Sequence, residues 1–518
     1  MRRLLISAAA VAILSGSAHA QTVDAQGATA LQEQLARYVT KQAFDKGVLK
    51  IAPEAAGYRL SADFNALPAL ASDKTRFTVK AEPFSWLLAP QAGGLWKVDG
   101  DVLPSGSVEI RADAVSINMG LKVTGGKFSG VYDPALGGFA SYDGSFAAMQ
   151  TTSSDPQTDT VTDYGPAQLT MRGKASAEGG ADFTSKQTVS GYSSVMKFKS
   201  PELGGEFPLT FKMDNLSVDA SGTNLRSRQM LDLLAFGVAN PAPKLEALQQ
   251  AELKSLLTKA MPLWNNVKVD YQLGKTSIVS PGGSLNADAI TVAASVDGAR
   301  DDAAISYNVK LANMKAASLF MPSWAPPLLP TEVDLTFQSV DLDLGQAAQT
   351  FITAMDVNQA DIISDDVGAE IVGQLMAGNP RFVLGKSTLK NAESEIIAEG
   401  EMRYEGANPV GAATIEAAGY DKIVEALQKA AQTDPSINDA VLATQMVKGL
   451  AKQTPEGRLQ WVVDARADGS VSVNGTMVKG PTPVGEPAEG EIELAPEAAP
   501  ETELPPKPVP LDKGDVKP

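Results

Sequence analysis

The sequence predicts an α+β protein dominated by strands, with large curved antiparallel sheets and several helices packed on them or capping them. Three observations predict it. Long stretches alternate apolar and polar side chains with a period of two, which gives each strand one covered and one solvated face. Tight-turn signals such as Asp468-Gly469 separate these runs. Segments with helical spacing follow directly on several strand units, as expected where helices pack on sheets.

Residues 1–20 have the layout of an export signal. Arg2 and Arg3 precede the apolar run Leu4 to Leu14, and Ala18-His19-Ala20 offers small residues where a signal peptidase reads. Cleavage is expected between Ala20 and Gln21. The apolar run is shorter than the roughly 20 residues a spanning helix needs, and no later segment is long and apolar enough. The mature chain is therefore expected in a periplasm without a transmembrane helix. Its folded part divides into residues 21–235, a helix plus β-rich domain, and residues 236–479, a second α+β sheet domain. Residues 480–518 are rich in Pro and Glu and are expected to be a disordered acidic tail.

The first element is a helix. Ala28, Leu31, Leu35, Tyr38, Val39 and Gln42 recur at helical spacing, and Gly47 closes the segment. The period then changes. Val108, Ile110 and Ala112 alternate with charged residues, and Val115, Ile117, Met119, Leu121 and Val123 continue one residue out of phase. Phe207 to Met213 slips the same way before Leu216 and Val218, and Val333 to Phe337 slips before Val340 and Leu342. A slip of one residue turns every later side chain over, so a bulge or a crossing between sheets must absorb it. Further alternating runs are Val267 to Leu273, Ile305 to Leu311 and Trp461 to Ala465. Helices are expected around Met230 to Leu234, over Leu245 to Met261, after Gln346, after Tyr420 and over Ile437 to Ala451. One loop differs from the polar turns. Ser318 to Pro330 holds Leu319, Phe320, Met321, Trp324, Leu328 and Leu329 among four prolines. It reads either as a plug for the end of a sheet or as a lid over an apolar groove.

The chain has no cysteine, and its single histidine, His19, lies in the export signal. The commonest neutral-pH nucleophiles, bases and soft-metal ligands are thereby missing. No enzymatic activity, catalytic residue, metal or cofactor is expected. Gly385-Lys386-Ser387 lacks the glycine spacing of a phosphate loop and reads as a turn. Ser194 and Lys197 have the spacing of a Ser/Lys pair, but their segment alternates like a strand, which points them to opposite faces. Asp155, Asp159 and Asp163, and Asp297, Asp301 and Asp302, offer hard oxygens in patterns unlike an EF-hand. Calcium binding there stays open. The net charge is −17, and loss of Arg2 and Arg3 makes it more negative. Such a chain repels nucleic acid.

Three stretches carry a resemblance. They are Pro330-Thr331-Glu332-Val333-Asp334-Leu335 with Val340-Asp341-Leu342-Asp343, then Glu399-Gly400-Glu401-Met402 to Asn408-Pro409-Val410-Gly411, then Leu459-Gln460-Trp461-Val462-Val463 to Val473-Asn474-Gly475. In these the chain resembles a family of alphaproteobacterial envelope proteins of unknown function, and more distantly AsmA-like and other β-groove envelope proteins. That resemblance implies lipid handling or outer-membrane biogenesis and carries no catalytic residue. The expected ligand is a lipid or acyl chain on a curved sheet. The alternative is a structural protein that docks envelope partners through its sheet faces and acidic tail.

Overall fold

The computed structural model describes residues 23–481 apart from 71–75, 113–114, 201–204, 323 and 407. The expected export signal, its expected Ala20–Gln21 junction and the tail from residue 482 onward lie outside the described residues. Within them, 26 strands form one antiparallel sheet that does not close on itself, and the strand-dominated α+β class holds.

The sheet opens with β1 (Leu49–Glu54), β2 (Gly57–Ala62), β3 (Arg76–Ala81), β4 (Phe84–Pro90), β5 (Trp96–Asp101) and β6 (Gly106–Ala112). It continues through β7 (Val115–Thr124), β8 (Lys127–Asp133), β9 (Gly138–Phe146), β10 (Ala148–Ser154), β11 (Thr158–Tyr164) and β12 (Ala167–Ala175). The central strands are β13 (Ala181–Ser200), β14 (Gly205–Leu225), β15 (Asn266–Ser280), β16 (Gly283–Asp297), β17 (Ala303–Ala312) and β18 (Lys315–Ser318). Then come β19 (Glu332–Leu342), β20 (Arg381–Lys390), β21 (Glu395–Glu405) and β22 (Asn408–Ala418). The last are β23 (Lys452–Gln453), β24 (Leu459–Ala465), β25 (Val471–Val473) and β26 (Thr476–Lys479). Hydrogen bonding runs on from β14 to β15. Residues 235 and 236 between them lie inside a helix, Ser227–Ala239.

The pairings resolve into one meander whose strands are interrupted at a common level. β13 pairs through residues 181–189 with β12 and through residues 192–198 with β11. β11 and β12 are thus two halves of one long strand, and so are β9 with β10, β7 with β8, and β5 with β6. β13 to β16 run through that level, each with an irregular residue there, and β17 and β18 are again two halves parted at it. The registers place Gly191, Asp214, Lys275, Asp288 and Asn313 directly opposite one another in a row. Gly191, Lys275 and Asn313 have positive φ, at 82°, 44° and 52°. Lys275 Nζ lies 3.6 Å from Asp214 Oδ2, and Asn313 Nδ2 donates to Asp288 Oδ2 at 2.7 Å.

This crease accounts for the slip between Met213 and Leu216. Each strand from β13 to the β17–β18 pair carries its irregular residue at the same level, so the register survives. Each irregularity adds a half-step, so the apolar positions of both halves stay on one face. A methyl built on Gly126 would lie 2.7 Å from Val123 Cγ1 in one half and 3.9 Å from Phe146 Cβ in the other. The slip at Ala112 has another cause. It falls on a hairpin, where Ile110 pairs with Ile117 and Arg111 with Ser116. The third slip is a bulge between β17 and β19 beside Asp341, whose φ is 60°. The Asp468-Gly469 turn joins β24 to β25, pairing Val463 with Val473.

At the crease Gly165 leaves no room for a side chain, since a Cβ there would sit 1.9 Å from the Ser190 carbonyl oxygen. Gly165→Ala is expected to cost about 1–3 kcal/mol. Urea denaturation against the parent chain checks this, and an unchanged midpoint would contradict the crowding.

The helices are α1 (Ala25–Val39), α2 (Lys41–Asp45), α3 (Ser227–Ala239), α4 (Ala247–Ala260), α5 (Leu344–Ala354), α6 (Asp365–Ala377), α7 (Tyr420–Ala431) and α8 (Asn438–Gly449). The single helix expected at the N-terminus is two, broken at Thr40, whose φ is 75°. Asp24 caps α1 by accepting from Gly27 N at 2.8 Å. Ala28, Leu31, Leu35 and Tyr38 are buried as their spacing predicts. They pack on Tyr58, Leu60, Trp86, Leu88, Trp96 and Phe128, the face of β2, β4, β5 and β8. Leu231, Leu234 and Ala235 of α3 close over the same core.

Candidate functional site: an uncovered apolar sheet face

Register assigns every strand residue to one of two faces. Just above the crease, Leu216, Leu273, Ile290, Leu311 and Val333 stand side by side on β14–β17 and β19. The next rank is Val218, Tyr271, Val292, Val309 and Leu335. The third is Ala220, Val269, Ala294, Tyr307, Phe337 and Leu384. Below the crease the same face carries Tyr164, Tyr192 and Phe211, whose rings follow one another at 5.1 and 5.6 Å. Its polar groups are neutral. Thr162 and Ser194, both buried, share a hydroxyl–hydroxyl hydrogen bond of 3.0 Å. These ranks, among the described residues, hold no charged side chain.

The opposite face is the reverse. Lys310 pairs with Asp334 at 3.0 Å, Arg381 with Glu401 at 3.2 Å and Lys186 with Asp219 at 3.7 Å. At the crease the two sets meet: a concavity there is lined by Lys122, Asp163, Lys212 and Asp214 together with Tyr164, Tyr192 and Met213. Burial pushes Asp334 up, but hydrogen bonds from Asn308 and Lys310 outweigh it and leave the pKa below the usual aspartate value.

Asp297, at the far end of β16, follows the same rule. Burial opposes its ionisation, yet Asn266 Nδ2 at 2.7 Å, Arg300 Nη2 at 2.8 Å and the Ala304 amide at 3.1 Å hold its pKa below 3.8. A carboxylate with a lowered folded pKa stabilises the fold above the unfolded value, and that contribution is lost as pH falls through the folded one. Asp297→Asn is therefore expected to cost about 1.5–3 kcal/mol at neutral pH and less at acid pH. Denaturation curves from neutral pH to below 3.8 check this; a difference independent of pH would contradict it.

The two faces differ in charge, and the apolar one is open. Where α1 and α3 pack, its residues are buried, with Trp96 at 2% exposure and Val98 at 3%. From β15 to β21 it is open: Tyr307 and Phe337, directly paired, are each 49% exposed, and Tyr271, Phe382, Met402 and Tyr404 are exposed as well. Isolated apolar side chains on a surface are ordinary; a contiguous lane of rings is not.

No family model, curated protein or solved structure matches the chain.

The proline-rich loop is divided. Leu319 and Phe320 project outward with 81% and 86% exposure, while Met321, Trp324, Leu328 and Leu329 are half-buried. Ser194 and Lys197 fall on opposite faces of β13: Ser194 meets Thr162, and Lys197 lies 3.8 Å from Glu206. Gly385-Lys386-Ser387 lies inside β20 at an irregularity opposite β19, where Ser387 Oγ accepts from the Thr336 amide at 3.1 Å. Asp155 caps its own turn through the amides of Gln157 and Thr158, each at 2.7 Å, and Asp159 pairs with Lys199 at 2.7 Å. The exposed lane was present in the sequence as alternation at Tyr271, Tyr307 and Phe337. Phe382 and Tyr404 carried no separate signal.

Proposed function

We propose that the chain is an exported, non-enzymatic envelope protein that holds acyl chains of lipids along its apolar sheet face. The observation that carries this reading is the uncharged lane running from Tyr271 to Tyr404, open on a chain whose other face is laced with ion pairs. Six strands at a spacing of about 4.8 Å make the lane about 24 Å long, against about 15 Å for the acyl layer of one leaflet. Covering such a lane removes apolar area from water at about 25 cal/mol per Å², and each methylene buried contributes about 0.8 kcal/mol. Neutral Ser, Thr and Tyr hydroxyls on the face tolerate an apolar chain without an unpaired charge. Lipid extraction of the full chain, purified without detergent, tests the reading. Acyl lipid near one equivalent per chain is expected. An empty extract, with no uptake of a fluorescent fatty acid, would contradict it.

A further inference from the structure

The end of the apolar face carries a second feature. β18 continues that face through Ala316 and Ser318, and Leu319 and Phe320 follow at once. They are the two most exposed large apolar side chains of the segment, at 81% and 86%. The backbone beneath them is fixed rather than loose. The Leu319 amide donates to the Gly282 carbonyl at 2.9 Å, and the Phe320 amide to Ser318 Oγ at 3.1 Å. Behind the tip, Pro326 and Pro327 shape a short helical turn whose Pro327 carbonyl accepts from Asn391 Nδ2 at 3.1 Å. A rigid mount therefore presents two bulky apolar side chains to solvent where the apolar face ends below the crease, beside Gly283 of β16.

The segment that carries this tip differs in charge from the rest of the chain. With 61 acidic residues and a net charge of −17, carboxylates are common. Yet from Ala303 to Thr331 there is none, and Lys310 and Lys315 are the only charged residues. A lipid phosphate approaching here meets no carboxylate from this segment, and Lys315 can lay its stem along apolar atoms while its ammonium reaches a phosphate.

We infer that the Leu319–Phe320 tip docks the chain on a zwitterionic phospholipid surface, with Leu319 and Phe320 entering the acyl boundary and Lys315 at headgroup level. The net charge of the chain disfavours anionic bilayers, whereas a segment with no carboxylate of its own permits a neutral one. The inference goes beyond the reading of the apolar face: it concerns the surface on which the chain sits, while the lane lies above the crease.

Flotation of the full chain with phosphatidylcholine vesicles tests it. The parent chain is expected to float, and the double variant Leu319→Ser, Phe320→Ser to lose at least tenfold in vesicle affinity. Both side chains are exposed, so the melting temperature and the lipid extracted from the purified protein are expected to stay the same. A Phe320→Trp variant supplies a second readout, a blue shift of emission on adding vesicles. A parent chain that stays with the soluble fraction overturns the inference, and so does a double variant that floats equally well. A dimer that the double substitution dissolves in the absence of vesicles, without loss of flotation, assigns the tip to a second copy instead. If extracts are empty while flotation still depends on the tip, the acyl reading of the face fails and the docking stands.

Discussion

Replacing Tyr307 and Phe337 together by aspartate is expected to weaken binding of a fluorescent fatty acid by at least tenfold. The two side chains are opposite each other on β17 and β19, in the centre of the open lane. A carboxylate there forces any acyl chain either to leave that stretch uncovered or to desolvate a charge, and the second is far costlier than the methylenes gained. Tenfold corresponds to 1.4 kcal/mol, less than two buried methylenes, so the figure is a lower bound. Both residues are half-exposed in the absence of ligand, so the substitutions leave folding largely intact. Gln272→Asp is the matched control, since Gln272 neighbours Tyr271 and points to the polar face. Its affinity is expected to equal that of the parent. Equal losses in both variants would mean that net charge, not the lane, governs binding.

Leu35→Ala is expected to destabilise the fold by about 2–5 kcal/mol. Leu35 is 1% exposed and lies in the core between α1 and the sheet. Truncating its side chain to a methyl leaves a cavity in a core that also holds aromatic side chains braced against one another. Trp86 and Phe128 meet edge-on at 5.6 Å, and Tyr58 and Trp96 lie 6.2 Å apart. Such neighbours cannot collapse inward, which puts the cost toward the upper part of the range. Chemical denaturation of the full chain measures it. A loss below 1 kcal/mol would mean that α1 rests on the sheet loosely, and that the covered and open parts of the apolar face are less different than their burial indicates.

Much of the architecture was legible from residue periodicity, because a strand with one apolar face must alternate. The Val267–Leu273, Ile305–Leu311 and Val333–Phe337 runs became β15, β17 and β19 of one sheet, and the α1 residues Leu31, Leu35 and Tyr38 entered the core. The slips in phase were legible too, but not their cause. A slip looks the same in a sequence whether it is a hairpin, as between Ala112 and Val115, or a kink inside a strand, as at Asp214. Only pairing distinguishes them. Helix α6 was missed because Gly368 and Gly373 interrupt its apolar spacing, although Ser364 caps it and Asp365 and Asp366 occupy its first turn.

The candidate site was legible only in half. Tyr271, Tyr307 and Phe337 announced themselves as the apolar side of strands. Whether that side is core or surface depends on what covers it, and no residue of the strand encodes that. Here α1 and α3 cover the face of β2, β4, β5, β8 and β9 and leave the strands after β14 open. For the same reason Leu319 and Phe320 could be read either as a plug or as a lip; their exposure rules out the plug for those two residues.

A photoreactive fatty acid bound to the full chain, crosslinked and mapped by peptide mass spectrometry, tests the central claim most directly. Labels are expected on the apolar positions of β15–β21, with Tyr271, Tyr307 and Phe337 among them and the ion-paired face unmarked. Labels spread over the polar face or the outer helices, or no crosslinks at all, would contradict an acyl-binding sheet.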